Sequence, residues 1–110
     1  MASNDNSPGA YIYVSYPRTK DTRFDSEYYL KTHMAIVDKH WRAFGLKSWT
    51  VVEFPEGDPS GLHTQGILLF DTFEQFEKAI EANIPEVMTD LPNYSNVMPV
   101  RYYGKVVERG

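Results

Sequence analysis

Cysteine is absent from the 110 residues. That excludes disulfides, a thiolate nucleophile and thiolate-held metals, and it agrees with a reducing cytoplasm. No apolar run is long enough to span a bilayer, and the first residues lack the charged-then-apolar pattern of a secretory signal. Basic clusters are missing as well. Eleven Lys and Arg stand against fifteen Asp and Glu, for a net charge of −4. Without a basic stripe to neutralise phosphates, nucleic acid is disfavoured as a partner. The chain has no Gly-rich phosphate loop, no Ser-His-Asp set and no closely spaced carboxylate pair.

Histidine is scarce too, with three copies, His33, His40 and His63. At i, i+7 on a helix, His33 and His40 lie ~10 Å apart along the axis. One zinc, with Zn–N bonds of about 2 Å, does not reach both. His63 stands alone beside a Gly/Pro-rich turn. A haem needs only one axial histidine, but also a large cavity, for which a subunit of this size is small. The expectation is a single cytoplasmic domain with no metal and no tightly bound cofactor, touching neither membrane nor nucleic acid.

Aromatics are plentiful, at eight Tyr, six Phe and two Trp. Tyrosine-rich small domains use such rings to fill a core, to line a cleft or to build an interface. Residues 1–9 are small and polar and read as a disordered tail; the folded domain runs over 10–108. Residues 10–16 form a β-rich run ended by Pro17. Asp25 is a good N-cap for a helix over 25–45, and Gly45 sits where a helix-ending glycine belongs. Strands follow over 46–54 and 64–70, separated by the turn-forming run from Pro55 to Gly61. Thr72 and Gln75 make a capping box, and Phe73, Phe76, Ala79 and Ile80 supply one apolar helical stripe. Pro85 opens a further short helix to about Leu91, and residues 97–107 close the chain as a strand. The order β-α-β-β-α-β is the split βαβ or ferredoxin-like plan, an α+β fold with a four-stranded antiparallel sheet and helices on one face.

Alternation places Tyr11 and Tyr13 on one face of the first strand and Ile12, Val14 and Tyr16 on the other. In the third strand Ile67 and Leu69 oppose Leu68 and Phe70. Both faces are apolar, whereas a sheet exposed on one side alternates apolar with polar. Two helices cover one face only. A second copy of the chain is the expected cover for the other, giving a homodimer packed sheet to sheet.

At 100° per residue, Tyr29, Leu30, His33, Ile36, Val37, His40, Trp41 and Phe44 share one face of the first helix. Two histidines thus stand where leucine is usual. A buried imidazole needs partners or a purpose, and it titrates near neutral pH without perturbation. His33 reads either as a general acid/base facing an apolar pocket or as a core histidine bonded to a strand. Tyr29, one turn away, is placed to orient that imidazole through its hydroxyl or to share a proton with it. His40 reads as a second polar wall of the pocket or as a charge complementing the helix end. Tyr11, Tyr13 and Trp49 read as pocket lining, dimer contact or both, and the same holds for Tyr16, Tyr102 and Tyr103. Arg101 is either an anchor for a substrate carboxylate or a solvated edge residue.

The segment Phe24-Asp25-Ser26-Glu27-Tyr28-Tyr29-Leu30-Lys31-Thr32-His33-Met34-Ala35-Ile36-Val37 resembles the EthD proteins, associated with ethyl tert-butyl ether degradation, of the dimeric α+β barrel superfamily. The correspondence continues through Gly45-Leu46 to Asn96-Val97-Met98-Pro99. Ala35 stands where the family often has proline. The resemblance implies a dimeric barrel with a cavity between each sheet and its helices, and it favours the functional reading of His33. Relatives in that superfamily include monooxygenases, isomerases, decarboxylases and polyketide cyclases, so the likeness supplies a scaffold and a candidate residue rather than a reaction. The expected function is a small cofactor-independent enzyme of secondary or catabolic metabolism acting on an aromatic or polyketide-like molecule. In it His33 moves the proton and Tyr29 supports it. The alternative is a non-catalytic carrier of a small aromatic metabolite using the same pocket.

Overall fold

Four strands build one antiparallel sheet in the order β2-β3-β1-β4, with β1 at Ala10–Pro17, β2 at Leu46–Glu53, β3 at Leu62–Phe70 and β4 at Val100–Lys105. The computed structural model describes residues 9–110. The tail expected over 1–9 lies outside the described residues except for Gly9, which is buried and accepts a hydrogen bond from the Val106 amide. Between β1 and β2 run α1 (Ser26–Tyr28), a π-helical turn (Tyr29–His33), α2 (Met34–Trp41) and a 3₁₀ turn (Arg42–Phe44). Between β3 and β4 come α3 (Phe73–Ala82), α4 (Pro85–Met88) and a second 3₁₀ turn (Leu91–Asn93). This is the ferredoxin-like α+β plan read from the sequence.

The register settles which face is which. Ile12 pairs with Leu68 and Tyr103, and Leu68 with Trp49, so these four share one face. Ile12, Leu68 and Phe70 on that face are buried against the helices. Side chains of this size stabilise the fold by about 1.5–3 kcal/mol each when fully buried. Tyr11, Tyr13, Ile67 and Leu69 point the opposite way and are only partly covered.

The local signals behave as their chemistry dictates. Asp25 caps the first helix, its carboxylate accepting from the Tyr28 amide at 3.0 Å. Gly45 takes φ 110°, the left-handed conformation that ends a helix without a Cβ clash. The Thr72–Gln75 capping box is complete.

The first helix departs from the regular periodicity in one respect. The Met34 amide donates to the Tyr29 carbonyl, five residues back, so the turn over Tyr29–His33 is π-helical. One extra residue in a turn rotates everything after it. Leu30, expected inside, is accordingly 42% exposed, and Met34 is buried in its place. The closing strand is also shorter than the expected 97–107. Val97 spends its amide on the Ser95 hydroxyl, and Pro99 has no amide to donate, so pairing with β1 begins at Val100.

Candidate functional site

His33 ends the π turn, and that turn aims its ring at the segment joining α4 to β4. Two ties hold this segment against the start of the first helix. The Asp25 amide donates to the Tyr94 carbonyl at 2.7 Å, and Phe24 bridges Ser95 in antiparallel fashion. Asp90 is thereby brought to His33, with Oδ2 3.0 Å from Nδ1. Its other oxygen accepts from the Tyr28 hydroxyl at 2.8 Å and from the Asn93 side-chain amide at 2.9 Å.

Three donors on one carboxylate fix its charge state. Burial pushes the Asp90 carboxyl up, but the hydrogen bonds from Asn93, Tyr28 and His33 outweigh it and hold the group below its usual value. Burial also pushes the His33 imidazole below its ordinary value, with the Asp90 hydrogen bond and charge opposing in part. The pair at neutral pH is therefore a carboxylate facing a neutral imidazole. The carboxylate has no proton to give, so Nδ1 carries the hydrogen, and Nε2 keeps a lone pair.

Aromatic rings enclose the imidazole. Tyr29 stacks on His33 at 5.4 Å between centroids and 16° between planes, and Tyr94 lies 4.7 Å away at 44°. The Tyr94 hydroxyl is 2.7 Å from that of Tyr16. Burial raises the Tyr16, Tyr29 and Tyr94 hydroxyls far beyond the ordinary tyrosine value, so all three stay protonated donors. Gly66 makes room for one of them. A Cβ there would come within 2.7 Å of the Tyr29 oxygen.

These side chains line a cavity of about 200 Å³ between sheet and helices. A cavity of ~150 Å³ lined by apolar side chains admits benzene, so this one has room for an aromatic ring with substituents. Val37, Leu68, Phe76 and Val87 form its apolar part, while Met98, Pro99 and Arg101 also border it. Asp90 is not in the lining; it stands behind His33.

The residues expected from the sequence divide here. His33 and Tyr29 line the cavity. Tyr29 does so through its ring, because Asp90 rather than the Tyr29 hydroxyl holds the imidazole. His40 is corrected to a place outside the lining, where it bonds Glu86 at 2.9 Å on the helix surface. Tyr11 and Tyr13 lie on the sheet face away from the helices and outside the cavity lining, which leaves the dimer contact of their two expected roles. Trp49 shares the helix-side face but not the cavity, its indole donating to Asp38 at 3.0 Å. Sequence reading missed Asp90, Tyr28 and Tyr94. The only local signal at Asp90 is the Asp90-Leu91-Pro92-Asn93 turn composition, which announces a turn and not its partner.

Among solved structures, the chain is similar to an EthD-like protein from Ralstonia eutropha JMP134, with 26% identity over 93% of this chain and 95% of that one and a TM-score of 0.80. It shares its fold with an ethyl tert-butyl ether degradation (EthD) family protein from Bacillus halodurans C-125, with 18% identity over 88% of this chain and 97% of that one and a TM-score of 0.56. The fold is shared as well with a dimeric ferredoxin-like protein from an uncultured marine organism, with 18% identity over 92% of this chain and 97% of that one and a TM-score of 0.52. No protein-family model and no curated protein matches the sequence. The neighbours agree with the EthD resemblance of the sequence. Among the described residues, no helix is long and apolar enough to cross a membrane.

Proposed function

We propose that this chain is a small cofactor-independent enzyme that moves a proton on an aromatic or polyketide-like molecule held beside His33. The observation that carries this reading is the His33–Asp90 pair at the wall of the cavity. Asp90 accepts the Nδ1 proton and fixes the tautomer, so Nε2 offers its lone pair to an acidic C–H or O–H of the substrate. As the proton arrives, the imidazolium gains the Asp90 charge 3.0 Å away. That stabilisation grows with the reaction and is of the kind that lowers a barrier. The neutral Tyr16–Tyr94 hydroxyl pair, 2.7 Å apart, keeps one proton free to donate to the negative charge that develops on a conjugated oxygen. The apolar walls exclude water and select the ring.

The working unit in this reading is a cytoplasmic homodimer, with the outer sheet face of one copy against that of another. The partly covered Tyr11, Tyr13, Ile67 and Leu69 support it. So does the dimeric ferredoxin-like neighbour.

The test is a screen of phenolic and β-dicarbonyl aromatic compounds by mass spectrometry, run in parallel on the wild type and on His33→Gln. The expected result is a compound turned over by the wild type, bound with similar affinity by the variant and left unchanged by it. A compound bound equally by both and transformed by neither would overturn the enzyme reading in favour of carriage.

A further inference from the structure

The cavity is electrostatically one-sided. Its only charged lining residue among those described is Arg101, and no carboxylate borders it. Asp90 is the nearest acid to the chemistry, and its two oxygens are spent on His33, Tyr28 and Asn93. Arg101 has no such partner. Among the described residues it makes no ion pair or side-chain hydrogen bond. It stands on β4 opposite Val14, and its charge is felt at the Tyr16 hydroxyl inside the cavity.

A guanidinium carries a fixed charge and five donors in a planar fork that matches a carboxylate. Left unpaired by the described residues at the mouth of an apolar space, it favours any ligand whose anionic group reaches it while the rest enters the cavity. The space of about 200 Å³ sets the size of that remainder at one or two fused rings.

We infer that Arg101 is the anion anchor of the cavity and that the natural ligand is a small aromatic or polyketide-like acid whose carboxylate faces Arg101 while its rings lie beneath His33. This deepens the proposed function and rests on the cavity being a ligand site. It adds a specificity residue remote from the proton transfer. The carboxylate fixes one end of the molecule, so the reacting position is presented to Nε2 in one orientation.

The test uses 2-naphthoate and its neutral isostere 2-naphthamide in isothermal titration calorimetry, on the wild type, Arg101→Gln and His33→Gln. Arg101 lies on an exposed strand outside the buried core, so its substitution leaves the fold intact, checked by circular dichroism. The expected result is naphthoate bound about tenfold or more tighter than naphthamide by the wild type, with the preference lost in Arg101→Gln and kept in His33→Gln. Raising the salt concentration should shrink the same preference. Equal binding of acid and amide by the wild type overturns the anchor. A preference that survives in Arg101→Gln, or disappears instead in His33→Gln, overturns it too. The first two failures leave the acid/base reading of His33 standing, whereas loss of the preference in His33→Gln would assign the anion contact to the imidazole and count against its role as a neutral base as well. Binding of neither probe removes the anchor and the aromatic-ligand reading together.

Discussion

Asp90 Oδ2 lies 3.0 Å from His33 Nδ1 although the two residues are 57 positions apart in the chain. The contact makes a prediction about protonation. Burial lowers the His33 value, and the Asp90 hydrogen bond and charge are the influences that oppose it. Asp90→Asn therefore drives the imidazole lower still, away from its ordinary 6.5. Proton NMR titration of the histidine ring reads this directly, and an upward shift in the variant would falsify the pairing. Activity of the wild type, once a substrate is known, should persist below pH 6.5, because the base is lost only when Nε2 is protonated.

Gly66 and Tyr29 give a second prediction. A methyl group at Gly66 would stand 2.7 Å from the Tyr29 oxygen but 3.9 Å from the ring carbon that bears it. Gly66→Ala should cost roughly 1–3 kcal/mol through overpacking of a closely fitted core. In the double variant with Tyr29→Phe the offending atom is gone, and more than half of the loss should return. Urea denaturation of both single variants and the double variant completes the cycle. Additive losses would mean that the oxygen is not what the glycine accommodates.

Much of this fold was legible because its local signals agree. The alternation of Ala10–Pro17, the Asp25 cap, the left-handed Gly45 and the Thr72–Gln75 box each act within a few residues, where one chemistry decides one conformation. His33 was legible for a related reason, as a titratable side chain on an apolar stripe. The π turn was not legible, because no proline or glycine marks it and Leu30 and Met34 are equally apolar. Its register is chosen by which of them packs better against the sheet. Asp90 was hidden for another reason. Its role depends on tertiary contacts from Asp25 and Phe24 to the Tyr94–Ser95 segment, and no local spacing encodes those.

Stability should fall in mild acid, and part of the fall belongs to His33. Its folded value lies below the unfolded 6.5, so the unfolded chain binds the proton more readily. The contribution is full above pH 6.5 and is lost as the pH drops through the folded value. His63 is lowered as well, by burial and the Arg18 charge against the opposing Glu53. Asp90 adds a later loss, beginning below its unfolded 3.8. The urea midpoint of the wild type should thus decline between pH 7 and 5, and His33→Gln should reduce that decline without abolishing it. A variant with the full wild-type slope would place the acid sensitivity elsewhere.

The outer sheet face yields the last prediction. Tyr13 and Ile67 pair across β1 and β3 on the side away from the helices, and neither belongs to the buried core. Val100 and Tyr102 extend the same face on β4 and are 50% and 56% exposed. A stable dimer interface buries on the order of 1,600 Å² in total, and a four-stranded face of this kind is wide enough to supply it. Sedimentation equilibrium at micromolar concentration should return the mass of two chains. Tyr13→Glu and Ile67→Glu place a charge on each side of the contact without entering the core, and by symmetry each copy carries both. Together they should give a folded monomer with an unchanged circular dichroism spectrum. A wild type that sediments as one chain sinks the sheet-to-sheet dimer. A double variant that still pairs moves the interface to another surface.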